Sequence, residues 1–218
     1  MKDHKDHPNP HPGRQPDKEL SPQAMRLKAM IAVLIEKGVL TREQLDQEIE
    51  KFQGQPQNDG AKAVAHAWVD PDFKKRLLAN PKRALSEIGL APKPIISNDP
   101  ENEHEAQLTV VENTDNLHHV TVCTLCSCYP QQLLGRPPDW YKSLVYRSRI
   151  VRDPRGVLDE FGLHIGKDVR IQLLDSTADL RFLVLPQRPK GTEKMSEEEL
   201  AKLVTRDSMI GTGQPRTP

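Results

Sequence analysis

The sequence lacks an excess of charge and lacks any long apolar run. Its 31 lysine and arginine residues balance 31 aspartate and glutamate residues, which gives no non-specific attraction to nucleic acid or to an anionic membrane. No apolar stretch is long enough to span a bilayer. Residues 1–19 also lack the apolar region of a secretory signal. We therefore expect no nucleic-acid partner, no membrane contact and a cytoplasmic location.

Aromatic residues are scarce as well. They make up 4% of the 218 residues, and hydrophobic residues make up only 36%. A chain of this length is expected to form one main domain with an appendage. The modest apolar content predicts a small interior, with much of the chain forming helical surface or contacting another protein.

The first ninety residues carry signals for short helices. Residues 1–20 are rich in Pro, His, Lys and Asp and are expected to form a disordered tail. A helix is predicted over residues 61–68, and capping residues with a following proline or a capping box mark further helix starts at Ser21-Pro22, Thr41 with Gln44, Asp70-Pro71 and Asn80-Pro81. Such helices are stable mainly when they pack on something else. Residues 21–90 are therefore predicted to be a helical arm that packs on a partner chain.

The pattern changes after a loop expected at residues 91–107. Alternating apolar residues predict strands near residues 108–112, 120–122, 169–173 and 180–184. Asp153-Pro154 predicts a helix, and Ser196 with Glu199 forms a capping box for another. The fold class is therefore α+β, with an N-terminal helical arm followed by a compact layered α/β-sheet domain. We expect that domain to span residues 108–211 and to be followed by a tail, residues 212–218.

The three cysteines of the chain fall within six residues, in the run 122-VCTLCSCYP-130. With no cysteine elsewhere, a disulfide framework is excluded. Cys123 and Cys126 have the spacing of zinc knuckles, but a tetrahedral zinc site needs a fourth ligand and no fourth cysteine exists. His118 and His119 precede the run directly. A non-catalytic zinc-binding interaction protein is therefore one interpretation.

The spacing of Cys126 and Cys128 favours a different chemistry. Two thiolates that flank one residue can bind one metal while the backbone between them folds under it, so that the amide nitrogens of Ser127 and Cys128 lie in the same plane. Cys123 can then reach an axial position. Amidate and thiolate donors favour trivalent low-spin cobalt or iron, and the sixth position stays open as a Lewis-acid site. We refer to residues 123–128 as the cysteine loop.

The run VCTLCSCYP resembles the metal site of nitrile hydratase α subunits. The resemblance extends to further segments: 61-AKAVAHAWVDPDFKKRLL-78, 111-VENTDNLHHV-120, 135-GRPPDWYK-142, 146-YRSRIVRDPRGVL-158, 181-RFLVLPQRP-189 and 203-LVTRDSMIG-211. It implies the fold of that family and the hydration of a small nitrile to an amide. It also implies a β subunit as partner, in heterodimers that pair into a heterotetramer or a larger assembly, and a cobalt-delivery activator protein.

The resemblance assigns roles within the cysteine loop. Cys123, Cys126 and Cys128 would be the sulfur ligands, and Ser127 and Cys128 the amide ligands, of one Co(III) per chain, with Fe(III) as the alternative. Cys126 and Cys128 would be oxidised to sulfinic and sulfenic acid, and arginines of the β subunit would meet those oxygens. The sulfenate of Cys128 would be the nucleophile or base. Thr124 matches the cobalt-type pattern, as does Tyr129.

Outside the loop, the resemblance implies a charged network behind the site, formed by Asp175, Asp179 and Arg181; a surface salt-bridge cluster is the alternative. The residues expected to act in catalysis are Cys128, Ser127, Gln131 and Arg181.

Two positions depart from the family pattern. Gln131 stands where the family usually has a pocket tryptophan, and His104 where a pocket glutamine is expected. The metal-binding subunit of thiocyanate hydrolase shares the cysteine pattern and also lacks that tryptophan. It is therefore the close alternative.

Overall fold

The computed structural model describes residues 22–45, 58–90, 106–125 and 128–218. The predicted tail at residues 1–20, most of the predicted loop at residues 91–107, and His104, Cys126 and Ser127 lie outside the described residues. The chain divides into two units, residues 1–55 and residues 56–218. None of the described helices is both long and apolar enough to cross a membrane.

In the described part of the first unit, helix α1 spans Pro22–Glu36 and starts at the proline that the capping signal indicated. The chain then turns at Gly38, whose φ of 67° favours glycine. The Thr41 amide donates to Gln44 Oε1 at 2.9 Å, and the Gln44 amide donates to Thr41 Oγ1 at 3.1 Å, so the predicted capping box is present. Helix α1 leaves several large apolar side chains exposed: Met25, Leu27, Met30, Val33 and Leu34.

The second unit opens with three helices: α2 at Asn58–Val69, α3 at Pro71–Ala79 and α4 at Pro81–Glu87. The Asp70 carboxylate accepts from the amides of Asp72 and Phe73, and Asn80 caps α4 through the amide of Arg83. Both helices therefore start where the cap-and-proline signals indicated.

Four strands follow at the places that the alternating apolar residues predicted. They are β1 at Gln107–Glu112, β2 at Leu117–Val122, β3 at Arg170–Asp175 and β4 at Leu180–Leu185. They form two parallel pairs, β1 with β4 and β2 with β3. In the second pair, Val122 at the end of β2 lies opposite Asp175 at the end of β3. The fold class is α+β, as expected from the sequence.

Short helices connect and cover the strands. They are α5 at Gln131–Leu134, a 3-10 turn at Asp139–Lys142, α6 at Leu144–Arg152, α7 at Pro154–Glu160, α8 at Glu197–Leu203 and α9 at Arg206–Ile210. The capping box of Ser196 and Glu199 opens α8 as predicted. The helix after Asp153-Pro154 is α7, and Asp153 caps it through the amide of Gly156.

Residues 58–90, which the sequence analysis grouped with the first helices as one arm, pack on the strands of the second unit. The indole N–H of Trp68 donates to the carbonyl oxygen of Pro186 at 2.8 Å, and Lys74 pairs with Glu112 at 2.6 Å. At the other end of the chain, the Arg216 amide donates to the Leu203 carbonyl oxygen. These contacts make both segments part of the compact unit.

A buried polar network ties the start of β2 to the end of α9. His118 Nε2 lies 2.7 Å from the carbonyl oxygen of Gly211, and His118 Nδ1 lies 3.2 Å from the side-chain amide nitrogen Nδ2 of Asn113. Because a carbonyl can only accept, Nε2 carries the proton, and Nδ1 accepts from Asn113. Asn113 Oδ1 in turn accepts from the His119 amide. Burial lowers the pKa of both histidines, so His118 is neutral.

We expect this network to make the fold sensitive to acid. In the unfolded chain the pKa of His118 is the ordinary histidine value of about 6.5. Below that pH the unfolded chain binds a proton that the folded chain excludes, so the free energy of unfolding should fall as the pH drops. Urea unfolding at about pH 7.5 and about pH 5 should show a smaller acid-induced loss in His118→Gln than in the original chain. The control is His164→Gln, because His164 is exposed. An equal acid-induced loss of unfolding free energy in all three proteins would contradict the neutral, buried state assigned to His118.

Candidate metal centre

The cysteine loop begins where the β2–β3 pair ends. Cys123 follows the last residue of β2 and is fully buried, and Cys128, which precedes α5, is 8% exposed. Both belong to the main hydrophobic core. Two of the three predicted sulfur ligands therefore lie in an environment from which water is largely excluded. The other predicted ligand residues, Cys126 and Ser127, are among those that the structure does not describe.

The first half of the cysteine loop is held by side chains from two other elements. The Asp175 carboxylate, at the end of β3, accepts from the Thr124 amide at 2.9 Å and from the Thr124 hydroxyl at 2.6 Å. Arg147 on α6 lies 3.4 Å from the Thr124 carbonyl oxygen. The Thr124 amide, hydroxyl and carbonyl are therefore all engaged.

The second half is held from beneath. The Tyr141 hydroxyl donates to the Cys128 carbonyl oxygen at 3.0 Å, and burial raises the pKa of Tyr141, so that its proton is retained. Beyond Cys128, the Gln131 amide donates to the Tyr129 carbonyl oxygen at 2.8 Å. Among the described residues, the buried Tyr129 hydroxyl has no hydrogen-bond partner. Burial also raises the pKa of Tyr129.

An aromatic cluster lies under this half of the loop. Five of the nine Phe, Trp and Tyr residues of the chain belong to it: Tyr129, Trp140, Tyr141, Tyr146 and Phe161. The neighbouring rings meet at centroid distances between 4.7 Å and 6.1 Å, mostly edge to face, which is a favoured arrangement. The scarce aromatic residues are thus concentrated beneath the cysteine loop.

The donor types fit a thiophilic transition metal. Thiolates in a dry site suit cobalt, iron or zinc, and do not suit magnesium or calcium. Within the described part of the chain, no three His, Cys, Asp or Glu side chains are grouped closely enough to hold a metal. His118 is a poor choice for a fourth zinc ligand because both of its ring nitrogens bond elsewhere in the protein.

The structure brings one member of the predicted charged network to the loop. Asp175 binds Thr124 directly. Arg181, on β4, lies 3.4 Å from the carbonyl oxygen of Leu180, and the backbone carbonyl of Asp179 accepts from Gln107. Among the salt bridges of the described residues, none joins Arg181 to either carboxylate. Gln131 is the first residue of α5, lies three residues after the end of the loop and is half-buried.

Two contacts to the loop had not been anticipated from the sequence. They come from Tyr141 and Arg147, which lie about thirteen and twenty-three residues along the chain from their partners. Both residues fall within segments of the family resemblance, GRPPDWYK and YRSRIVRDPRGVL. The family resemblance singles out these two segments, but it does not indicate which of their side chains contact the cysteine loop.

A cavity of about 400 Å³ lies away from the cysteine loop, near the carboxyl ends of β1 and β4. Its lining includes Lys74, which pairs with Glu112, and Asp115, which accepts from the Gln187 amide at 2.7 Å. These polar groups bind one another. The cavity therefore adds nothing to the metal centre.

Comparison with known proteins agrees with this arrangement. The family model "Nitrile hydratase, alpha chain" matches residues 21–213. The α subunit of the low-molecular-weight cobalt-containing nitrile hydratase of Rhodococcus rhodochrous is 49% identical over 197 residues, which cover 89% of this chain and 90% of that subunit. The α subunit of the cobalt-containing enzyme of Pseudonocardia thermophila is 47% identical, and 91% of this chain and 94% of that subunit are covered.

Solved structures agree at the level of the fold. A double mutant of the Fe-type nitrile hydratase from Comamonas testosteroni Ni1 superposes with a TM-score of 0.78 at 38% identity, covering 92% of this chain and 94% of that chain. The α+β fold, the cysteine loop at the end of a parallel strand pair and these similarities together define a metal-binding hydratase subunit. This chain is a member of the nitrile hydratase α-chain family, as the resemblance of its motifs indicated.

The contact between Asp175 and Thr124 yields a prediction. Asp175→Asn removes the negative charge and one of the two acceptor positions, so the attachment of the loop to β3 should weaken. A hydrogen bond to a charged group contributes about 1.5–3 kcal/mol to stability. We expect a lower unfolding free energy and less cobalt retained after gel filtration. Asp179→Asn is the matched control, because Asp179 does not contact the loop through any described hydrogen bond. Equal cobalt retention in both variants would contradict the role of Asp175.

Proposed function

We propose that this chain is the metal-binding α subunit of a nitrile hydratase, which with a β subunit converts R–C≡N to R–C(O)NH₂. The observation that carries the proposal is the buried pair Cys123 and Cys128, set in the motif VCTLCSCYP at the end of β2. The near half-identity to cobalt-containing nitrile hydratase α subunits supports it.

Cobalt is the metal that we propose. Cys123, Cys126 and Cys128 would hold it, together with the amide nitrogens of Ser127 and Cys128, and iron is the alternative. When bound, it would supply a Lewis acid that makes the nitrile carbon electrophilic. We propose that Cys126 and Cys128 carry sulfinic and sulfenic acid, and that the sulfenate oxygen of Cys128 is the nucleophile or base. Arg181 belongs to this proposal as part of the charged network behind the site.

A β subunit is proposed to cover the cysteine loop. Leu125, inside the loop, is 87% exposed, and on α6 Leu144 is 74% and Val145 is 55% exposed. Arg147 ties α6 to the loop through Thr124. Exposed apolar groups beside a metal site are typical of an interaction surface. A separate activator protein that delivers cobalt belongs to the same proposal.

Thiocyanate hydrolysis is the second candidate. The γ subunit of thiocyanate hydrolase from Thiobacillus thioparus is 42% identical over 159 residues, covering 72% of this chain and 65% of that subunit. Gln131 favours this alternative, because the sequence departs there from the usual nitrile hydratase pocket.

Purification from cells that also express the partner chain tests the proposal. We expect one cobalt per chain and a 123–128 peptide whose mass is raised by the oxygens of one sulfinic and one sulfenic acid. The material should convert a nitrile to its amide, and the chain purified alone should be inactive. Zinc with unmodified cysteines would contradict the proposal, and turnover of thiocyanate without turnover of nitriles would favour the second candidate.

Gln131 is predicted to shape the substrate pocket. Compared with an indole, its amide offers a donor and an acceptor in place of a flat apolar wall. Gln131→Trp should therefore improve kcat/KM for an apolar nitrile relative to a polar one. A contact of this kind is worth roughly 1–3 kcal/mol, or about ten-fold and more. Gln132→Trp places the same ring one position along the helix and serves as the control. An unchanged ratio in Gln131→Trp would mean that Gln131 does not line the pocket.

A further inference from the structure

In the described part of the cysteine loop, Thr124 and Cys128 are bonded to side chains of the surrounding fold. Asp175 and Arg147 hold the first, and Tyr141 holds the second. We infer that Tyr141 is a positioning residue for the metal: its hydroxyl fixes the peptide that leaves Cys128 and thereby orients the donor atoms of that residue. This inference rests on the proposed function.

The carbonyl of Cys128 is an effective place to hold the loop. The peptide bond is planar, so fixing the carbonyl oxygen fixes the orientation of the whole peptide unit between Cys128 and Tyr129. In the proposed site Cys128 provides both a sulfur and an amide nitrogen. A tilt of this residue would move both donors together. One hydrogen bond of 3.0 Å therefore anchors the carboxyl side of the residue that carries both donors.

Tyr141 is itself held rigidly. Its side chain is fully buried, and its ring lies between those of Tyr129, Trp140 and Tyr146 at centroid distances of 5.3 Å, 6.0 Å and 6.0 Å. A donor fixed in this way holds its acceptor in place before any metal is bound, which is the arrangement that precise metal sites need.

Tyr146 distinguishes a positioning role from a purely structural one. It belongs to the same aromatic cluster, it is buried, and its hydroxyl donates to a backbone carbonyl oxygen, that of Thr121, at 3.2 Å. That carbonyl lies within β2 and outside the cysteine loop. Loss of either hydroxyl should cost similar stability, but only loss of the Tyr141 hydroxyl should alter the metal site.

The experiment compares Tyr141→Phe and Tyr146→Phe in the full-length chain. Cobalt(II) is titrated into the metal-free protein, and the sulfur-to-cobalt absorption and the cobalt-induced rise in Tm are recorded. Loss of a side chain that orients a ligand typically weakens metal binding by about ten-fold or more. We expect that loss in Tyr141→Phe, together with a shifted absorption band and a smaller rise in Tm. Tyr146→Phe should match the original chain in all three.

The outcomes distinguish failure of the positioning role of Tyr141 from failure of the proposed function. Equal cobalt affinity, absorption and Tm rise in Tyr141→Phe and the original chain would overturn the positioning role. An equal weakening by both variants would also overturn it, because it would reflect general destabilisation. If the original chain gives no sulfur-to-cobalt absorption even when it is produced together with the activator protein, the proposed function fails. The rise in Tm can be measured even when a variant is less stable, because each protein is compared with its own metal-free form.

Discussion

The parallel pairing of β2 with β3 is the constraint on which the rest of the site depends. Its register places Val122 opposite Asp175, so the chain that enters the cysteine loop emerges beside a carboxylate. A slip of one residue would turn Asp175 to the opposite face and separate it from Thr124. The same pair carries Thr121, whose carbonyl receives the Tyr146 hydroxyl. Strand register therefore determines where the cysteine loop starts and how part of the aromatic cluster beneath it is attached.

The few aromatic residues of the chain are distributed unevenly in the structure. A protein with few aromatic residues has placed five of its nine in one cluster under Tyr129 and Cys128. Close-packed rings resist displacement, because any movement of one requires movement of its neighbours. A hydroxyl on such a ring is a more precise anchor than one on a surface side chain. The rigid cluster therefore lies where Cys128, a proposed metal ligand, is held.

Local signals in the sequence predicted local structure well. Asp70, Asn80 and Ser196 cap helices as expected, because a capping side chain and the backbone amide that donates to it lie within three residues of each other. Apolar alternation located the strands but said nothing about their partners, since β2 and β3 are about fifty residues apart in the chain. The metal ligands were proposed from donor chemistry and family resemblance. The contacts that Tyr141 and Arg147 make with the cysteine loop depend on tertiary packing that no local pattern encodes.

Under the proposed function, the chain supplies only one side of its metal site. Beneath the loop, Thr124 and Cys128 are each bonded to side chains of other elements. Above it, Leu125 is almost fully exposed, which is unfavourable for an apolar side chain left in water. A reaction in which water attacks a nitrile needs controlled access to the metal, and an open face does not provide it. The division is physically reasonable if this fold holds the ligands rigid while a second chain closes the pocket and selects what enters it.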